Sequence, residues 1–221
     1  MTPRPIPPPK APPASTLDAG DFIEWLGRFL ASLSSGAGMA VECGDCRACC
    51  RAGFFIPVGP EEASSRKAIP SQLLVDAAGA GSPGHQLVAI TPSGDCALLR
   101  GNECSIYASR PRACREYDCR LFAAAGISAG IEAIDRQARR WRFRYADAAS
   151  ERAHQATRAA AAFLVEHRGA FPGARAPSRP SDIALVAAKA HHVFLAPDGA
   201  ASPQAIARQV IEACRQFDAT A

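Results

Sequence analysis

Cys43, Cys46, Cys49 and Cys50 follow one another as C-x2-C-x2-C-C, and Cys96, Cys104, Cys114 and Cys119 complete a set holding eight of the chain's nine cysteines. Thiolates are soft anionic ligands that select zinc, copper(I) and iron–sulfur centres, and repeats this close bring several within reach of one ion or cluster. A C-x2-C-x2-C run wraps tightly enough for three thiolates to reach three corners of a cubane, whereas zinc ribbons more often use two separate C-x2-C knuckles. That favours iron–sulfur somewhat. Cys49 and Cys50 are neighbours with divergent side chains, which favours two metals, or one metal and a spare thiol. Asp45, Asp95 and Asp118 each adjoin a cysteine. They could add oxygen ligands, but turns are the simpler reading.

The competing account is a disulfide framework, which needs an oxidising compartment. The first residues read Met1-Thr-Pro-Arg-Pro-Ile-Pro-Pro-Pro-Lys10, and this much proline blocks an apolar helical leader. No later run approaches the ~18 apolar residues of a membrane span. The expectation is a soluble, cytoplasmic protein, long enough to bury a core without covalent staples. Its formal charge of +4 counts every cysteine as neutral. Thiolates bound to a metal would lower it, so the basic excess is readable as internal compensation. Residues 105–145 carry nine arginines, no lysine and four acids, beside and just after the cysteines.

The flanking segments must hold this cluster in place. Residues 1–14 contain seven prolines and read as a disordered tail. From Leu17 to Leu33 the apolar residues recur at three and four, which predicts an amphipathic helix capped by Ser15, Thr16 or Asp18 and stopped by Gly36. Phe54–Val58 reads as a short extended piece, and Pro60-Glu-Glu62 as the start of a helix that Pro70 breaks. Residues 79–85 are a glycine-rich loop. Strands are expected at 86–90 and 96–99 around the turn Thr91-Pro-Ser-Gly94, with Gly101-Asn102 closing a hairpin. Ser109-Arg-Pro111 marks a helix start. Cys114 and Cys119 can then face one site only if that helix ends between them.

Residues 139–145 alternate strictly, with Arg140, Arg142 and Arg144 on one face and Trp141, Phe143 and Tyr145 on the other if extended. Such interleaving could bind single-stranded nucleic acid or a phosphate-bearing ligand. The modest overall charge favours a half-buried strand with solvated arginines instead. Helices are expected over 151–168, 182–195 and 203–217, with a proline-rich linker at 172–180. Cys214 sits at helical spacing from Ile206 and Val210 and reads as a small buried apolar residue. His191-His192 is a poor ligand pair, because adjacent helical residues point about 100° apart. His85, His154 and His167 have no better claim.

Three strings together carry a resemblance: Cys43-x2-Cys46-x2-Cys49-Cys50; Gly94-Asp-Cys96-x2-Leu99; and Cys104-Ser-Ile-Tyr107-x2-Arg110-Pro111-x2-Cys114-Arg115-x-Tyr117-Asp118-Cys119. The chain resembles the CxxCxxCC cysteine-cluster family of zinc- or iron-chelating proteins, the YkgJ-like group, over about residues 43–122. The resemblance implies metal chelation and no particular substrate. All eight cysteines fall on its positions, which implies metal ligands at Cys43, Cys46, Cys49, Cys50, Cys96, Cys104, Cys114 and Cys119. Arg110 and Arg115 fit the same frame and are expected to donate to thiolate sulfur or to offset its charge. A similar cluster occurs in flagellin lysine N-methylases, which gives an enzyme alternative. Those proteins look longer, and neither a Gly-x-Gly-x-x-Gly turn nor a C-x3-C-x2-C spacing is present here. A zinc-stabilised module binding protein or nucleic acid is a further alternative.

The resulting expectation is an α+β protein, mostly helical, with an irregular cysteine-rich centre, short strands and flanking helices. Residues 15–171 would form the metal-binding domain. Residues 172–221 would be a helical segment packed on it. The cofactor would be zinc or an iron–sulfur cluster; membrane contact is not expected and nucleic-acid binding is disfavoured.

Overall fold

A computed structural model describes residues 15–36, 38–39, 41, 45–76, 83–174, 176–195 and 201–220. The proline-rich tail at 1–14, Cys43 and most of the glycine-rich loop lie outside them. In chain order the elements are β1 (Leu17–Asp21), α1 (Phe22–Ser35), β2 (Ile56–Val58), α2 (Ala63–Ala68), β3 (Leu74–Asp76), β4 (Gln86–Val88), β5 (Leu99–Arg100), β6 (Glu103–Cys104) and α3 (Arg112–Glu116). They continue with α4 (Arg120–Ala125), α5 (Glu132–Ala138), β7 (Trp141–Arg144), α6 (Ala148–Glu166), α7 (Pro180–Lys189) and α8 (Pro203–Thr220). Helices dominate and the strands are short, as expected of a mostly helical α+β chain.

The chain divides into two compact units, residues 36–118 and the remainder on either side. In the flanking unit, β1 and β7 pair in parallel, with Leu17 opposite Trp141 and Asp21 opposite Arg144. The expected helix therefore begins five residues late. Asp18 accepts a hydrogen bond from Gly20 N, and Gly20 lies at φ +88°, which breaks helical geometry and bulges the strand. Asp21 takes over the capping role, accepting from Ile23 N at 3.1 Å and Glu24 N at 3.3 Å. The basic, aromatic segment at 139–145 is the half-buried strand: Trp141 is buried, while Arg142 and Arg144 are exposed. Arg144 pairs with Asp18, and Arg140 reaches Ser15 and Gln137.

The core of this unit is aromatic and alanine-rich. Phe22 stacks on His154 at 4.3 Å and meets Phe143 edge-on at 5.0 Å, while Trp25 stacks on Phe29 at 5.4 Å. Ala153, Ala156, Ala160 and Ala161 of α6 and Ala184, Ala187 and Ala188 of α7 are all buried. Their small side chains let α6 and α7, which pack together, approach closely. Asp147 caps α6 by accepting from Ser150 N at 2.8 Å. Pro180 begins α7, and Ser202 accepts from Ala205 N at the start of α8.

The 36–118 unit is built differently. Its largest sheet has the order β2-β4-β3, antiparallel throughout, with Val88 opposite both Ile56 and Leu74. Val58, Ile69, Val88 and Leu98 are buried together, with Cys96 and Ile106 packed against them. The turn at 91–94 forms as expected, joined by an Ile90–Cys96 bridge, but the second strand is displaced to 99–100 and pairs with 103–104 around Gly101-Asn102. The displacement follows from Cys96 and Leu99: the carbonyl of the former accepts from Leu99 N at 2.9 Å, closing a turn where an extended run was expected.

Candidate metal centre

Four thiols of this unit are brought together by backbone ties. Cys49 and Cys50 lie in a single 3-10 turn, Cys49–Arg51, and Cys49 hydrogen-bonds to the Cys50 sulfur. Cys96 N donates to the Cys50 carbonyl at 2.8 Å, so the first cluster is stitched to the 91–96 turn. Cys104 ends β6 opposite Leu99. Cys114 enters from the first turn of α3, its N–H donating to the Pro111 carbonyl at 2.9 Å. That helix ends at Glu116, between Cys114 and Cys119.

Electrostatics record the proximity. The Cys114 thiol is pushed up to about 12, first by burial and then by Cys96, Cys50 and Cys104, with Arg110 opposing. Cys96 is also raised, by burial ahead of Cys50 and Cys104, despite the Leu98 and Leu99 backbone. Cys50 moves the other way, to about 7, because the Cys49 hydrogen bond outweighs burial and Arg47 and Arg51 add to it. Sequence reasoning missed Arg47 and Arg51. Their signal was adjacency to the cysteine run.

The expected arginines have separate environments. Arg110 lies over the Tyr107 ring at 4.1 Å and donates to the Tyr107 carbonyl at 2.9 Å, while its charge acts on Cys114. The Nε of Arg115 is buried without a hydrogen-bond partner among the described residues. Gly38, at φ +79°, lies so close to Arg115 that a Cβ would stand 2.6 Å from the arginine Cβ, and Met39 N donates to the Arg115 carbonyl. Only glycine fits there.

The remaining candidates are more scattered. Cys46 is half-buried, its carbonyl accepting from Arg47 Nη1 at 2.6 Å. Cys119 immediately precedes α4, and its sulfur accepts the Trp141 indole N–H at 3.2 Å. None of the described cysteines forms a disulfide. Among the described residues no three His, Cys, Asp or Glu side chains stand in a closed ligating arrangement. Asp95 faces Arg51 at 3.9 Å, its carbonyl accepts from Thr91 N at 2.8 Å, and its N–H donates to the Thr91 hydroxyl at 3.1 Å. His191 meets His192 at right angles and bonds to the Ala188 carbonyl. Cys214 is half-buried in α8, less than expected of a core residue.

The donor set nevertheless suits a soft divalent cation. Burial and mutual repulsion oppose ionising Cys96 and Cys114, and a positive ion among these sulfurs would relieve both. Residues 42–129 match the CxxCxxCC family, described as "Putative zinc- or iron-chelating domain". The CxxCxxCC segment thus covers the whole cysteine cluster and supports chelation of zinc or iron. No curated protein and no solved structure matches the chain. No described helix is long and apolar enough to cross a membrane.

Proposed function

We propose that the CxxCxxCC segment is a thiolate chelator of zinc or iron, with Cys50, Cys96, Cys104 and Cys114 as its principal ligands. The backbone ties that join these stretches, Cys96 N to the Cys50 carbonyl and Cys104 opposite Leu99, together with the influence of Cys96, Cys50 and Cys104 on Cys114, carry the reading. Cys43, Cys46, Cys49 and Cys119 complete the candidate ligand set through their places in the motif. Arg110, with Arg47 and Arg51, offsets the thiolate charge. Two centres, or one centre with a spare thiol, follow from the adjacency of Cys49 and Cys50.

Zinc would fold the unit by linking its turns and exchange no electrons. An iron–sulfur centre would add redox chemistry. Anaerobic purification followed by zinc, iron and acid-labile sulfide analysis per chain distinguishes them. Iron with matching sulfide and a brown colour identifies a cluster, and colourless protein with one or two zinc ions identifies a chelating or structural site. Loss of bound metal is expected on Cys96→Ser or Cys46→Ser. Unchanged metal content in both would overturn the ligand assignment.

A further inference from the structure

An indole N–H is a donor only, and when buried it needs a partner. Trp141 is 5% exposed, and its Nε1 points at a sulfur, Cys119 Sγ, at 3.2 Å. A neutral thiol accepts such a bond weakly, whereas a thiolate accepts it as a charge-assisted bond. The donor is also held firmly. Trp141 opens β7 opposite Leu17 of β1, and the buried Arg120 guanidinium lies over the indole face at 5.7 Å. A cation on that face draws density from the ring and makes the N–H a stronger donor.

We infer that Trp141 is a positioning residue for a metal-bound Cys119 thiolate, fixing its sulfur and tempering its donation to the ion through the indole N–H. This rests on the reading of Cys119 as a ligand. Partners of this kind around ligating groups set metal affinity and electronic character, and losing one costs about 10–100-fold in affinity. Arg120 acts one step further out, through the indole. The aromatic-basic alternation of residues 139–145 thereby gains a role beyond forming a strand.

Cobalt(II) binding to the full chain tests the inference, because the sulfur-to-cobalt charge-transfer band reports both the number of thiolates and their donor strength. Trp141→Phe is expected to keep cobalt stoichiometry, weaken affinity about 10–100-fold and move the band to lower energy. Placing β-(3-benzothienyl)alanine at position 141 keeps the ring volume, removes the N–H and should give the same shift even if the phenylalanine variant folds poorly. Cys119→Ser should lower the band intensity. An unchanged band energy in both position-141 variants, with intensity lost in Cys119→Ser, overturns the role of Trp141 and leaves Cys119 as a ligand. Undiminished intensity in Cys119→Ser overturns both. The absence of any thiolate band in the unaltered protein overturns the chelation reading itself.

Discussion

The two units solve the same problem with different materials. The flanking unit buries Phe22, Trp25, Phe29, Leu164 and Ile183 and closes helix on helix through alanine. Among the described residues of the 36–118 unit, the buried apolar side chains are Met39, Val41, Val58, Ile69, Val88, Ala97, Leu98 and Pro111, with no aromatic ring. Its strands are two or three residues long. A core this small offsets little of the chain entropy, and domains so placed commonly depend on metal or covalent links. The contrast teaches that packing holds the flanking unit, whereas the 36–118 unit has few buried side chains among its described residues, so the ligation proposed above would count most there.

Removing the metal should break the symmetry most severely. Structural zinc contributes on the order of 10 kcal/mol, so a strong chelator is expected to abolish amide protection in β2, β3 and β4 while sparing α6 and α7. Hydrogen exchange reads this directly, and uniform loss in both units would erase the distinction drawn above. The converse perturbation is Phe22→Ala, which empties the aromatic cluster. It should cost about 3–5 kcal/mol in the flanking unit without altering metal content by elemental analysis.

A third perturbation separates the units by pH. His154 is held at about 4, by burial first and by Arg158 second, with the Ala123 and Ala124 backbone opposing. Its Nδ1 shares a hydrogen bond with the Tyr145 hydroxyl at 2.8 Å. The folded value lies below the ordinary 6.5, so between those limits the unfolded chain takes the proton and the folded chain does not. Stability is therefore complete above about 6.5 and falls as the pH drops toward 4. Denaturation midpoints of the parent protein and His154→Gln between pH 7 and pH 4.5 should diverge in slope. Equal slopes would remove the histidine from the account.

Smaller effects sharpen the contrast further. Asp147→Ala should cost about 1 kcal/mol through the lost α6 cap, measured as a reduced denaturation midpoint with unchanged metal content. Cys214→Ser should leave metal stoichiometry as it was. A drop in bound metal would add Cys214 to the ligand set.

Much of the flanking unit was legible because helices advertise their period and their caps, as Ser202-Pro203 and the stripe through Phe22, Leu26 and Phe29 do. The error at Leu17–Asp21 was of a different kind. Those residues fit a helical stripe, and only pairing with β7 far along the chain makes them a strand, which local pattern cannot foresee. In the cysteine unit the spacing of sulfur was plain, but its neighbourhood was not. Stitching Cys96 to Cys50 depends on a single backbone bond between distant turns. The Trp141–Cys119 contact was hidden for a related reason, since residues 22 apart come together only through tertiary packing.

The pairing of β1 with β7 also bears on how the protein is made. Ile23 N donates to the Ser150 hydroxyl, 127 residues later. At a synthesis rate of about 5–20 residues per second, the first strand and helix wait on the order of ten seconds for their partners. Throughout that interval Phe22, Trp25 and Phe29 have no core to enter. The newborn chain therefore carries an unburied aromatic face while the entire cysteine unit is synthesised behind it, a stage at which transiently exposed apolar surface favours aggregation.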